Sequence, residues 1–194
     1  MLFRSNLVAL RDVSFSLEPG ERLGIVGESG AGKSVAAFAI LNLISRPGYI
    51  SGGEILFEGQ DLTKLSPQEM RSIRGNRISM IFQDPMMTLN PVLTVGVQMT
   101  EVLHAHREIS AEEARSRALQ TLTRVHISSP ENRFDQYPHE LSGGMRQRVV
   151  IATALLTESS LIIADEPTTA LDVTIQAEIM DLLQIGRASC RERV

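Results

Sequence analysis

Apolar positions recur along the chain at strand-like and helix-like spacings. Between residues 7 and 17 they alternate loosely, at Val8, Leu10, Val13, Phe15 and Leu17, which predicts a strand ending at the turn Glu18-Pro19-Gly20. Residues 22–26 form a second apolar run of strand length. Residues 35–44 are apolar and Ala-rich at helix length, and Pro47-Gly48 closes that helix. Gly52-Gly53 leads into a strand and turn over 54–59. Ser66-Pro67-Gln68-Glu69 is a capping box with proline in the first turn, opening a short helix to about Arg74. Residues 77–82 predict another strand, apolar at Ile78 and over 80–82.

Past Gln83-Asp84-Pro85 the character changes. Residues 94–126 read as helical, with a second capping box at Ser110-Ala111-Glu112-Glu113. A loop containing Pro130 and Pro138 follows, then Leu141-Ser142-Gly143-Gly144-Met145-Arg146-Gln147-Arg148 and a helix through about Leu156. Leu161-Ile162-Ile163-Ala164 reads as a buried strand capped by Asp165-Glu166-Pro167, and 173–184 as a final helix. Strands alternating with helices, plus one all-helical insert, predict an α/β core with a helical subdomain.

One stretch in this pattern carries chemistry on its own. Gly27-Glu28-Ser29-Gly30-Ala31-Gly32-Lys33-Ser34 is G-x-x-x-x-G-K-S, placed between a predicted strand and a predicted helix, the context a phosphate-binding loop requires. Its glycines let successive N–H groups turn inward at phosphate oxygens, and the following helix adds its positive end. Lys33 supplies a point charge for the β- and γ-phosphates, and the Ser34 hydroxyl is placed to ligate Mg²⁺.

Further along, four apolar residues followed by Asp165-Glu166 put carboxylates at the C-terminal end of a buried strand, facing a phosphate crevice. Asp165 suits the Mg²⁺ shell, and Glu166 suits a general base for the attacking water. Leu141-Ser142-Gly143-Gly144-Met145-Arg146-Gln147 is a second Gly-containing turn opening a helix, hence a second anion site. One triphosphate does not easily use both loops of a single compact chain. The pair makes sense if two chains face head to tail.

Composition narrows the setting. The chain has 194 residues, 43% of them hydrophobic, enough for one globular domain. A formal net charge of −4 gives no global basic field for nucleic acid. The single cysteine, Cys190, excludes a disulfide framework within the chain. No apolar run approaches the ~20 residues of a membrane span, and no signal peptide is evident, so a soluble, reducing setting is expected. The two ends stand apart. Residues 1–5 and 185–194 match the translation of common short-read sequencing adapters, which predicts that only 6–184 is native, a fragment cut at both ends.

The phosphate loop, Gln83 after a strand, Leu-Ser-Gly-Gly-Met-Arg-Gln-Arg at 141–148, Leu-Ile-Ile-Ala-Asp-Glu-Pro-Thr at 161–168 and Ala170-Leu171-Asp172 follow the order of an ABC transporter ATPase subunit, which the chain resembles over essentially all of 6–184. Phe82-Gln83-Asp84-Pro85, Leu89-Asn90-Pro91 and Tyr137-Pro138-His139-Glu140 resemble the dipeptide/oligopeptide/nickel importer branch. The resemblance implies a P-loop NTPase fold: a core with a parallel sheet, an N-terminal antiparallel β portion and a helical signature subdomain. It forms one truncated domain, with core 6–84 and 150–184 and helical part about 85–149.

The same resemblance implies roles. Residues 27–34 cradle the phosphates of ATP, with Mg²⁺ held by Ser34, Gln83 and Asp165. Lys33, Gln83 and Glu166 serve the chemistry. Ser142, Gly143 and Gly144 complete the partner chain's site, and Asp172 contacts the partner across the dimer. The implied partners are a second ATPase subunit, identical or not, transmembrane permease subunits and, indirectly, a substrate-binding protein, with no nucleic acid. Met86-Met87 and Leu89-Asn90-Pro91 resemble the groove that receives a permease coupling helix, although core packing accounts equally well for each methionine. The implied location is peripheral, on the cytoplasmic face of a bacterial inner membrane.

The departures are an adenine-stacking aromatic, which would lie on a strand before Leu7, and the family's switch histidine, matched by none of His104, His106, His126 or His139. The complete protein is therefore expected to hydrolyse ATP and this fragment to do so poorly. An exporter or other-solute ATPase remains the nearest alternative, and a soluble ABC-type ATPase of DNA repair or translation a more distant one. Intact Lys33, Gln83, Ser142 and Glu166 argue against a module that binds without hydrolysing.

Overall fold

Two strands far apart in the chain lie side by side and position the chemistry of the second half. The structure, a computed structural model, describes residues 7–167, which divide into two units at Met70–Arg71. Asp172 and the helix expected over 173–184 lie outside the described residues.

In the first unit the first helix, α1, spans Lys33–Ile40. It starts two residues before the expected 35–44 and ends earlier, where Asn42 turns to φ 49° and Leu43 donates back to the Phe38 carbonyl at 2.8 Å. The strand and turn expected over 54–59 form a tight hairpin. Leu56–Phe57 (β1) pairs antiparallel with Gln60–Asp61 (β2) around Glu58 and Gly59, both at positive φ, as a two-residue hairpin turn demands. Asp61 then caps a single 3₁₀ turn, Leu62–Lys64, by accepting from the Thr63 N–H at 3.0 Å. Its carboxyl is held well below the usual carboxylate range, by the Lys64 ammonium at 2.8 Å first and by Thr63 next.

The capping box predicted at Ser66 is present. The Ser66 N–H donates to the Glu69 carboxylate at 2.7 Å, and the Glu69 N–H donates to the Ser66 hydroxyl at 3.3 Å, opening α2 (Pro67–Ile73). The strands expected over 7–17 and 22–26 do not form. A strand exists only where a neighbour completes its ladder. Here the backbone bonds are those of turns, as in the Glu21 N–H to Glu18 carbonyl bond at 2.9 Å, and the apolar side chains stand out, Leu7 and Val26 each 94% exposed.

In the second unit Ile78–Ile81 (β3) runs parallel to Leu161–Ala164 (β4), Ile81 opposite Ala164. The expected buried strand is correct in position but not in depth. Residues 161–163 are half-buried and Ala164 exposed, because among the described residues β4 has a strand neighbour on one side only. The crossover between the strands carries the helices: α3 (Pro85–Thr88), α4 (Val95–His104), α5 (Ala111–Arg124), α6 (Pro130–Phe134) and α7 (Gly143–Leu155).

The helical reading of 94–126 thus resolves into two helices. Thr94 caps α4 and Ser110 caps α5, each hydroxyl accepting an N–H three residues on. The expected loop around Pro130 and Pro138 is partly helical, proline opening α6 and also a 3₁₀ turn over Pro138–Glu140. α5 buries Ala114, Ala118, Thr121 and Leu122 on one stripe and packs against α4 and α7. α7 is buried at Val149, Val150, Ile151 and Ala152, almost all the way round, as a central helix is. Met99, Leu103 and Leu122 are fully enclosed in this core, each contributing about 1.5–3 kcal/mol by leaving water. Gly96 on α4 has no side chain because the Phe134 ring occupies that space, and the Arg115 guanidinium covers the ring at 4.3 Å.

Candidate nucleotide site

The phosphate loop is built from local turns. The Ala31 N–H donates to the Glu28 carbonyl at 3.1 Å, closing a turn in which Gly30 takes φ 82°. Gly32 follows at φ 92° as the residue preceding α1. Both lie in the left-handed region that an L side chain resists. A Cβ at Gly32 would also come within 2.6 Å of the Leu10 side chain, whereas at Gly30 it would meet nothing within 4 Å. One glycine thus permits close packing and the other keeps backbone open. Lys33 reaches back over the loop, its Nζ donating to the Gly27 carbonyl at 2.9 Å and the Glu28 carbonyl at 3.1 Å. No carboxylate lies in the first turn of α1, so nothing of like sign opposes an anion there. Gly27, Glu28, Ser29 and Ala31 are exposed, and Ser34 is half-buried in the first turn.

In the second unit the strand register does the positioning. Ile81 lies opposite Ala164, so Gln83 and Glu166, each two residues further on, leave the same C-terminal edge together. Gln83 Nε2 donates to a Glu166 carboxylate oxygen at 2.9 Å, across 83 residues of sequence. With the amide turned this way, Oε1 is the atom that can face a cation. Asp165 is buried, and its N–H donates to the Ile81 carbonyl at 2.9 Å, extending the ladder to the carboxylates. Glu166 takes φ 45°, a strained conformation for a side-chain-bearing residue and more so before proline. At this edge the oxygen donors of Asp165 and Gln83 are of the hard kind that Mg²⁺ selects.

Ser142 caps α7, its hydroxyl accepting from the Met145 N–H at 3.3 Å. Gly143 and Gly144 then supply the first N–H groups of a helix, which have no acceptor within it. A Cβ at Gly143 would meet nothing within 4 Å, and the first turn of α7 carries no carboxylate. The predicted second anion site therefore has an open backbone and a positive helix end.

Two residues carry structure that the motifs did not foretell. Gln147, inside the signature but given no task, is 2% exposed, and its Nε2 donates to the Pro167 carbonyl at 2.7 Å. A polar residue facing the same core as Val150 and Ile151 was the available signal. Gln98 clamps the segment around Asn90: its Nε2 donates to the Asn90 carbonyl at 3.0 Å and the Leu93 carbonyl at 2.9 Å, and its Oε1 accepts from the Asn90 N–H at 2.8 Å. Within that segment Leu89 is buried while Met87 is 86% exposed. No helix among the described residues is long and apolar enough to cross a membrane.

Comparison with known proteins places this geometry. The profile of the ABC transporter family matches residues 10–169. The oligopeptide transport ATP-binding protein OppD of Bacillus subtilis is 60% identical over 177 residues, 91% of this chain and 49% of that protein. The dipeptide transport ATP-binding protein DppD of the same organism is 55% identical over 179 residues, 91% of this chain and 53% of that protein. The chain thus spans about half the length of these curated relatives. Among solved structures, a dimeric post-hydrolysis state of the ATP-binding cassette MJ0796 bound to ADP and Pi superposes with a TM-score of 0.79 at 34% identity. It covers 90% of this chain and 73% of that one. The fold is that of an ABC ATPase cassette, and the chain belongs to the ABC transporter family.

Proposed function

From membership of that family we propose that the complete protein is the ATP-hydrolysing subunit of a transporter that imports peptides or similar small solutes. Residues 27–34 hold the triphosphate: open backbone at Gly30 meets phosphate oxygens, and Lys33 exchanges its loop carbonyls for the β- and γ-phosphates. Ser34, Asp165 and Gln83 would hold Mg²⁺, which would supply charge neutralisation at the transferring phosphoryl group. Glu166, oriented by the Gln83 amide, accepts the proton of the attacking water. Asp172 contacts the second subunit across the dimer.

The observation that carries this reading is the 2.9 Å bond from Gln83 to Glu166 at the shared edge of parallel strands, where α/β proteins bind nucleotides. The anion site at Ser142, Gly143 and Gly144 is open, and completing a second subunit's γ-phosphate site explains why one chain carries two phosphate-binding turns. The exposed Met87 beside the clamped Asn90 segment suits a permease surface, methionine being adaptable in such contacts. The subunit then works at the cytoplasmic face of the membrane without entering it. The names of OppD and DppD, an oligopeptide and a dipeptide transport ATP-binding protein, favour peptides as the solute class over export or soluble roles. Lys33→Ala tests the loop: ATP binding to the complete subunit, followed by fluorescent-nucleotide titration, should weaken at least about tenfold, the loss of one charge-assisted contact. Unchanged affinity would remove the loop assignment.

A further inference from the structure

We infer that Gln147 is a positioning residue that fixes the backbone carrying Glu166 and so couples the signature helix to hydrolysis. The inference rests on the reading of Glu166 as the group that activates water. Glu166 sits at φ 45° and precedes Pro167, a combination the backbone does not adopt without external support. Three bonds supply that support. The Asp165 N–H holds the Ile81 carbonyl at 2.9 Å, Gln83 holds the Glu166 carboxylate at 2.9 Å, and Gln147 holds the Pro167 carbonyl at 2.7 Å.

The first two bonds come from the strand edge and its continuation. The third comes from α7, the helix that Ser142 caps. Gln147 lies five residues past that cap, about 7.5 Å along the helix axis. A shift of the α7 N-terminus, as when Ser142, Gly143 and Gly144 meet a phosphate on a second subunit, is thus transmitted through one buried amide to the residue after Glu166. The direction of the bond is unambiguous, because the Pro167 carbonyl can only accept. A buried polar side chain is expected to have a partner. What distinguishes this one is that the partner is the carbonyl of the residue immediately after the proposed catalytic carboxylate.

The test uses the complete subunit assembled with its permease and compares Gln147→Met, Gln147→Glu and, as a control on the premise, Glu166→Gln. Methionine keeps the length and shape of glutamine without the donor. Glutamate keeps the shape and becomes a donor only when protonated. Gln147→Met should lower kcat about ten- to a hundredfold with the KM for ATP within about threefold, since misplacing a reacting group costs rate rather than binding. Gln147→Glu should recover turnover relative to wild type as pH falls from 8 to 6, when the buried carboxyl takes up a proton and can donate again, while the ratio for Gln147→Met stays flat.

Wild-type kcat in Gln147→Met, or a raised KM with kcat unchanged, would overturn the inference. A flat pH ratio for Gln147→Glu would do the same. Wild-type turnover in Glu166→Gln would instead overturn the premise, whatever the Gln147 variants do.

Discussion

The phosphate loop and the carboxylate edge reach their geometry by different routes. Residues 27–34 are shaped by contacts within a few positions: a turn closed between Glu28 and Ala31, two glycines at positive φ, and a lysine folded onto carbonyls five and six residues back. They keep that shape in a unit whose apolar side chains at Leu7 and Val26 are 94% exposed. The edge at Gln83 and Glu166 has no such local code. It depends on the register of two parallel strands, on pairing two residues 83 positions apart and on a helical core that holds the crossover in place. The loop is therefore a property of its own sequence and the edge a property of the fold, so perturbation of the core should reach the two differently.

The largest expected effect comes from emptying the core of the second unit. Leu103→Ala or Leu122→Ala removes a fully enclosed side chain and should cost about 2–5 kcal/mol in urea unfolding. Val26→Ala, with as many apolar neighbours in sequence but 94% exposed, should change stability by no more than ~0.5 kcal/mol. Comparable losses at the two sites would erase the contrast.

A smaller effect is expected from filling rather than emptying. A Cβ at Gly96 would overlap the Phe134 ring, so Gly96→Ala should cost about 1–3 kcal/mol in the same assay, although alanine is the better helix former. A stabilised variant would show that α4 and α6 do not pack as described.

The smallest concerns the first unit and pH. Asp61 titrates well below its ordinary value, chiefly through Lys64, and Glu69 below its own through the Ser66 hydroxyl first and the Ser66 N–H second. Depressed folded values mean that these groups contribute fully above the unfolded values of about 4, and lose that contribution as pH falls from there toward the folded values. Stability should therefore be indifferent to them between pH 7 and 5 and decline below about pH 4. The double variant Asp61→Asn, Glu69→Gln should flatten that decline in acid-unfolding curves; an unchanged acid limb would show that neither carboxyl is engaged.

These routes also explain what the sequence could reveal. The Ser66 and Ser110 caps, the Leu161 strand and the helix after Ser142 were readable because each depends on side chains within a few residues. The strands expected over 7–17 and 22–26 were not, because alternation describes a face without supplying the neighbour that makes it a strand. The short helices α3 and α6 were missed for a related reason: their prolines mark a helix start as readily as a loop. The site divides in the same way. The phosphate loop and the Asp165-Glu166 pair stand out as motifs, whereas the bond from Gln83 to Glu166 needed the strand register, and the grip of Gln147 on Pro167 needed α7 to be packed beneath that edge.

Glu166 is the group proposed to activate water, at an edge built by the fold. The most direct measurement is ATP binding and steady-state turnover, side by side, in the complete subunit with Glu166→Gln. Nucleotide affinity should stay within about threefold of wild type while turnover falls at least about a hundredfold, as the loss of a general base requires, and dimers should accumulate with ATP bound. Wild-type turnover in that variant would contradict the account.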